Sequence, residues 1–288
     1  MVDSNMFWQT ARFNIDLSRP QVMGIVNLTP DSFSEGGAPL SVAATLLRCE
    51  KMLEDGADIL DLGAESTRPG ARPVPLDEEL ARLLPVLDAA LRLGCPVSVD
   101  THKAEVMKQA LARGADIIND VNALRSPGAL QQVAAHPSCG VCLMHMRGEP
   151  ESMQSNVSYD GDVIKEVCAF LGARLAALQA SGVAAQRVVL DPGIGFGKSV
   201  ENNIELLRRQ RDLLILARPL LIGWSRKSTL GAITGRAVEQ RLAASVAAAL
   251  AAVHRGARIV RVHDVGATVD ALRVWNAVGL GWDNPSPQ

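Results

Sequence analysis

The chain has 288 residues, of which 48% are hydrophobic and 21% charged, with a formal net charge of −2. This is enough for one large α/β core or two small domains. A near-neutral balance with no long Lys/Arg run argues against a nucleic-acid surface or a polybasic membrane anchor.

The chain begins MVDSNMFWQT, with no basic start followed by an apolar stretch, so it does not read as a secretory signal. Residues 6–18, MFWQTARFNIDLS, are expected to form a small hairpin lying across the bottom of the main sheet. From residue 21 onward, short apolar runs alternate with longer amphipathic ones. QVMGIVN, ADILDLG, CPVSVD, ADIIND, CGVCLMHM, RVVLD, PLLIGWS and ARIVRVHD read as strands. The stretches 41–54, 77–93, 103–112, 160–180, 200–216 and 238–254 read as helices, and those after Pro127 and Ala267 carry a fainter helical pattern. Gly56, Gly94, Gly114 and Gly256 stand where helix C-termini favour glycine. The most apolar run, LLILARPLLIGW, is interrupted by Arg218 and Pro219 and is too short to span a bilayer. A soluble, cytoplasmic protein without membrane or nucleic-acid partners is expected.

Eight βα units in one series, with no linker or low-complexity segment between them, imply a parallel sheet. A length not far above ~250 residues fits a closed (β/α)8 TIM barrel with a short N-terminal β-hairpin. A doubly wound open sheet is the alternative. Five cysteines make no disulfide framework in a chain this long. Cys139 and Cys142 have C-x-x-C spacing with His145 nearby. On a strand, residues three apart face opposite ways, so the pair is expected to be buried packing and not a metal or redox motif.

Barrel active sites lie at the C-terminal strand ends. Those ends hold Asn27, Asp61, Asp100, Asn119, His145, Asp191, Ser225 with Lys227, and His263. Alternation puts Ser98 and Asp100 on one face and Val97 and Val99 on the other. It likewise separates Arg261 and His263 from Val260 and Val262. Strand-end Asp and Asn can instead cap helices, a use open to Asp191 and Asp264. So many polar groups converging on one mouth exceed what capping needs. Carboxylates and amides suit the amino-pyrimidine edge of a planar heterocycle, and Arg261, His263, Arg68 and Lys227 suit an anionic group such as a phosphate. No nucleophile–base pair, G-x-S-x-G or H-E-x-x-H motif is present. The stretch DPGIGFGKS at 191–199 comes close to a Walker A loop but has Pro192 where the first glycine belongs.

Together, MGIVNLTPDSFSEGG (23–37), GAESTRPGA (63–71), SVDT (98–101), IIND (117–120), DPGIGFGK (191–198), GWSRKS (223–228) and RVHDV (261–265) resemble the dihydropteroate synthase family. These enzymes join a pterin pyrophosphate to p-aminobenzoate. The resemblance runs from residue 21 to about 270 and implies a single domain over 1–288, with its core at about 21–280. It implies a pterin pocket lined by Asp100, Asn119, Asp191 and Lys227, with Met144 packing on the ring. Asn27, Thr67, Arg68, Arg261 and His263 would hold the pyrophosphate, and Asn27 would ligate Mg²⁺. Phe33, Thr67, Pro69, Phe196, Lys227 and Ser228 would frame the p-aminobenzoate. Asp100, Lys227 and Arg68 would be the catalytic groups in an ionisation-like departure of pyrophosphate, which needs no nucleophile on the enzyme. A homodimer acting on small-molecule substrates is the implied assembly. The sequence departs from the family at Glu35, Ala64, Ile194 and His102, none of them an implied ligand, though Ala64 is expected to restrict the second loop. Other readings are a pterin-binding methyltransferase barrel, which would lack the TPDSFS, STRPG and SRKS loops, and a catalytically silent pterin-binding barrel, which would be expected to have broken ones.

Overall fold

Alternation divides each barrel strand into an outward apolar row and an inward row that changes from apolar to charged along its length. The structure, a computed structural model, describes residues 7–29, 41–66, 70–148, 153, 159 and 161–280. The hairpin strands β1 (Phe7–Gln9) and β2 (Asn14–Asp16) pair antiparallel. The barrel strands are β3 (Gln21–Asn27), β4 (Ile59–Gly63), β5 (Val97–Asp100), β6 (Ile117–Asp120), β7 (Gly140–Met144), β8 (Val188–Asp191), β9 (Leu220–Ile222) and β10 (Ala257–Val262). They pair parallel in sequence order, and β10 closes the ring between β9 and β3. The expected closed barrel with its N-terminal hairpin is therefore what forms, and the open sheet is ruled out.

The surrounding helices are α1 (Val42–Glu54), α2 (Leu76–Ala90), α3 (Ala104–Arg113), α4 (Ala129–Ala135), α5 (Val163–Ala180), α6 (Val200–Arg208), α7 (Ser228–Thr234), α8 (Leu242–His254) and α9 (Val265–Ala277). Outward residues such as Leu60, Leu62, Val97, Val99, Ile118 and Leu143 are fully buried beneath them. Ser41, Asp162 and Ser199 accept backbone N–H groups at the starts of α1, α5 and α6, removing orphan donors there. Gly114, at φ 101°, ends α3 in the left-handed conformation that glycine adopts at least cost. None of the described helices is long and apolar enough to cross a membrane.

Three helix readings change. The stretch 200–216 breaks after Arg208 into a 3-10 helix, Gln210–Leu216. Buried Gln210 donates its amide to Ala252 O and Arg255 O at the end of α8, so a tertiary contact overrides local periodicity. The stretch 238–254 opens with a 3-10 turn before α8, and 77–93 becomes α2 followed by a 3-10 turn. Cys139 and Cys142 diverge as alternation requires. The first packs in the outer layer and the second inside the barrel.

The lower interior is apolar. Met23, Ile59, Ile117, Cys142, Val189, Leu221 and Ile259 fill it, and Trp8, Ile15 and Leu17 from the hairpin region pack against them. Trp8 is fully buried and donates Nε1–H to Arg187 O at 2.9 Å. Arg12 clamps Asp116 with two hydrogen bonds, Nε–Oδ1 2.9 Å and Nη2–Oδ2 2.6 Å. The hairpin therefore plugs the end opposite the strand C-termini.

Candidate active site

One layer above this apolar floor the inward positions become polar. Asp61 of β4, Asp100 of β5, Asn119 of β6, Asp191 of β8 and Arg261 of β10 are drawn together. Arg261 donates Nε–H to Asp61 Oδ2 at 2.6 Å and Nη2–H to Asp100 Oδ2 at 2.7 Å. Asn119 donates Nδ2–H to the same Asp61 oxygen at 3.2 Å. Asp61 Oδ1 and Asp100 Oδ1 are buried with no hydrogen-bond partner among the described residues. Two carboxylates thus each spend one oxygen on the guanidinium and keep one acceptor for a ligand, since an unmet buried acceptor is costly.

The electrostatics follow from burial. Desolvation pushes the Asp100 carboxyl up to about 7, against the pull of Arg261 and with the repulsion of Asp61. Burial raises Asp191 too, opposed by a 2.7 Å hydrogen bond from Gly193 N–H and by Lys227. Burial works against the Arg261 charge, but Asp61 and Asp100 outweigh it and hold the guanidinium ionised well beyond its ordinary range.

The walls come from loops after the strands. Met144 joins Val121, Met146 and Met153 in an apolar patch, with Phe196 packed against it. Lys227 Nζ stands 4.2 Å from the Phe196 ring centroid, a cation–π contact. Arg226 takes φ 59°, turning the chain between Ser225 and Lys227. His263 N–H donates to Ser225 Oγ at 3.1 Å, and its Nδ1 lies 3.0 Å from the same oxygen. Ser228 is exposed at the first position of α7. Asn27 ends β3, half-buried on the inward row with Met23 and Ile25. No cluster of three or more His, Cys, Asp or Glu among the described residues could hold a metal alone. Asn27 can supply one hard oxygen, which fits Mg²⁺ held mostly by substrate phosphate oxygens and water.

Some expectations need correction. His145 does not join the mouth. It follows Met144 on the opposite face of the strand, is 2% exposed, and meets the Phe170 ring of α5 edge-on at 4.9 Å. Asp264 caps nothing with its side chain. It accepts Arg226 Nε–H and Nη2–H at 3.1 and 2.6 Å instead. Asp191 does bond Gly193 N–H, two residues on, but it sits in the site. Ala64 and Ile194 lie in the outer core and not on the site. Phe33, Glu35, Thr67, Arg68 and Pro69 lie outside the described residues.

One residue was placed at its strand end without a role, and two went unread. Asp61 carries the centre of the constellation, and its parity with Ile59 in ADILDLG was the available signal. Lys198, the lysine of the near-Walker stretch, is 2% exposed and turned into the protein. Glu65 is a hub where the second loop begins. It accepts Val74 N–H at 2.8 Å, Lys103 Nζ at 2.8 Å and lies 3.0 Å from His102 Nε2. Burial opposes its charge, but those hydrogen bonds outweigh it and hold its carboxyl down at about 2.

A closed (β/α)8 barrel with facing carboxylates, an amide and a guanidinium at its mouth is built to grip a polar small molecule. The sequence matches the family of pterin binding enzymes over residues 23–263, and the chain belongs to that family. It is 53% identical over 279 residues to a dihydropteroate synthase of Neisseria meningitidis serogroup B, covering 95% of this chain and 98% of that one. Among solved structures, dihydropteroate synthase of Burkholderia cenocepacia complexed with 7,8-dihydropteroate is 50% identical with a TM-score of 0.87, covering 95% of this chain and 96% of that one. The Xanthomonas albilineans enzyme with 4-aminobenzoic acid is 49% identical with a TM-score of 0.88, covering 94% and 98%.

Proposed function

We propose that this barrel is a dihydropteroate synthase. It condenses (7,8-dihydropterin-6-yl)methyl diphosphate with p-aminobenzoate, giving 7,8-dihydropteroate and pyrophosphate. The observation that carries this reading is the pair of buried, unpartnered oxygens, Asp61 Oδ1 and Asp100 Oδ1, beside Asn119 and Arg261. They offer acceptors to the ring N–H and amino groups of a pterin, in a chain about half identical to known synthases along nearly its full length.

In this reading Asp191, Asn119, Asp61 and Asp100 receive the pterin, and Met144 packs on its face. Arg261 and Lys227 supply positive charge where the diphosphate departs, an electrostatic form of catalysis, and His263 offers it a ring nitrogen. The ionised Asp100 carboxylate stabilises the cation-like methylene left behind, and the aniline nitrogen attacks it. Phe196 and Lys227 frame the p-aminobenzoate, with Ser228 near its carboxylate. Thr67, Arg68, Pro69 and Phe33 complete these groups on the resemblance alone. Asn27 would hold Mg²⁺ together with the diphosphate, and the metal supplies Lewis-acid stabilisation of the leaving group when bound.

The enzyme is proposed to act in the cytoplasm as a homodimer. Ile233, Leu242 and Val274, exposed on the consecutive helices α7 to α9, and Val278 just past α9 supply apolar surface for such an interface. The catalytic reading is tested by mixing protein, pterin pyrophosphate, Mg²⁺ and p-aminobenzoate and following pyrophosphate. Release must depend on p-aminobenzoate and yield dihydropteroate. Release that ignores p-aminobenzoate overturns it.

A further inference from the structure

The loop between β8 and α6 is pressed onto the end of β7. A Cβ at Gly193 would collide with His145 O, and one at Gly197 with Arg147 O, and both glycines have positive φ. What draws the segments together is Lys198. Its Nζ lies 2.8 Å from His145 Nδ1, 3.2 Å from His145 O, 2.9 Å from Gly193 O and 3.1 Å from Phe196 O. All four partners are uncharged. Burial, then the nearby Lys198 charge, presses His145 down to about 2, so the ring is neutral and Nδ1 accepts. Burial, with the Lys227 charge, lowers the Lys198 amine to about 7, against the pull of Asp191 and Glu166.

Two of these partners lead directly to the site. Gly193, whose carbonyl Lys198 holds, donates its own N–H to Asp191 Oδ1 at 2.7 Å. Phe196, whose carbonyl Lys198 also holds, carries the ring beneath Lys227 Nζ and donates N–H to Gly193 O at 3.1 Å. One buried amine therefore holds the backbone beside both the pterin carboxylate and the aromatic wall of the second subsite.

We propose that Lys198 is a positioning residue for both substrates: by gathering the carbonyls of His145, Gly193 and Phe196 it fixes where Asp191 and Phe196 stand. The proposal rests on the synthase reading above. The lysine that imitates a phosphate-loop lysine thus binds no phosphate and acts through the loop it ties.

The test compares wild type with Lys198→Met and Lys198→Gln at 25 °C, measuring pterin pyrophosphate Kd by calorimetry, KM for p-aminobenzoate, kcat and Tm. Met removes every donor, whereas Gln keeps an amide. Lys198→Met is expected to raise the p-aminobenzoate KM by about tenfold and weaken pterin binding in the folded protein, with Gln intermediate, because small misplacements of positioning groups are expensive. A lower Tm with Kd and KM both unchanged would show a stabilising role only and overturns the proposal. If Lys198→Met does not fold, Lys198→Gln decides. Its amide has two N–H groups for three carbonyls and should raise the same KM by about threefold; an unchanged KM overturns the proposal. A wild type that makes no dihydropteroate sinks the synthase reading instead, so the two failures are distinguishable.

Discussion

The Arg261 guanidinium donates to Asp61 Oδ2 at 2.6 Å, tying the last barrel strand to the second across the mouth. Its other arm reaches Asp100, so one cation is shared by two buried carboxylates. Removing a partner from such a buried arrangement strands charge in a low-dielectric site. Arg261→Met is expected to cost about 3–5 kcal/mol in urea unfolding and to abolish pterin pyrophosphate binding. Unchanged stability would mean that the carboxylates do not depend on Arg261.

Asp191 stands among buried groups with one oxygen on Gly193 N–H. Asp191→Asn leaves a single acceptor oxygen and no charge. Losing a charge-assisted hydrogen bond worth about 1.5–3 kcal/mol should raise the pterin pyrophosphate Kd by about ten- to a hundredfold. Near-normal affinity by calorimetry would refute its role.

Burial lifts the Asp100 carboxyl from its ordinary 3.8 to about 7. The ionised form accepts ligand N–H groups best, so affinity for a pterin alcohol, which lacks the diphosphate, should fall as pH drops through about 7. Stability runs the other way. A raised folded pKa contributes stability below 3.8 that is lost as pH rises to about 7. Asp100→Asn should flatten both profiles, and a binding profile that stays sloped would point to another group.

Trp8 lies on the barrel floor, away from the strand C-termini. Trp8→Ala is expected to lower stability by about 3–5 kcal/mol, as large-to-small changes of buried aromatics do. At 25 °C kcat should stay near wild type while any of the variant remains folded, measured per folded molecule. A large fall in kcat with little loss of stability would contradict the separation of floor from mouth.

Much of this molecule was legible because alternation is a strong signal. It placed Ser98, Asp100, Arg261 and His263 inward, and it separated Cys139 from Cys142. The same rule applied one residue past β7 would have turned His145 outward. Asp61 was harder. Its significance depends on Arg261, 200 residues away in the chain. Lys198 was hidden for a different reason. Its partners are mainly backbone carbonyls, which leave no mark in a sequence, while its neighbours imitate a nucleotide loop. The end of α6 was set by the Gln210 side chain reaching α8, a contact invisible to local periodicity.

The hairpin that seals the barrel floor has a kinetic meaning as well. With Trp8, Ile15 and Leu17 packed into the lower interior, the described residues close that end of the barrel to a substrate. A molecule bound deepest in such a barrel should arrive first. On the proposed reading, the pterin held by carboxylates of the barrel strands should enter before the aniline framed by Phe196 from the loop after β8, and the joined product should leave by the same mouth.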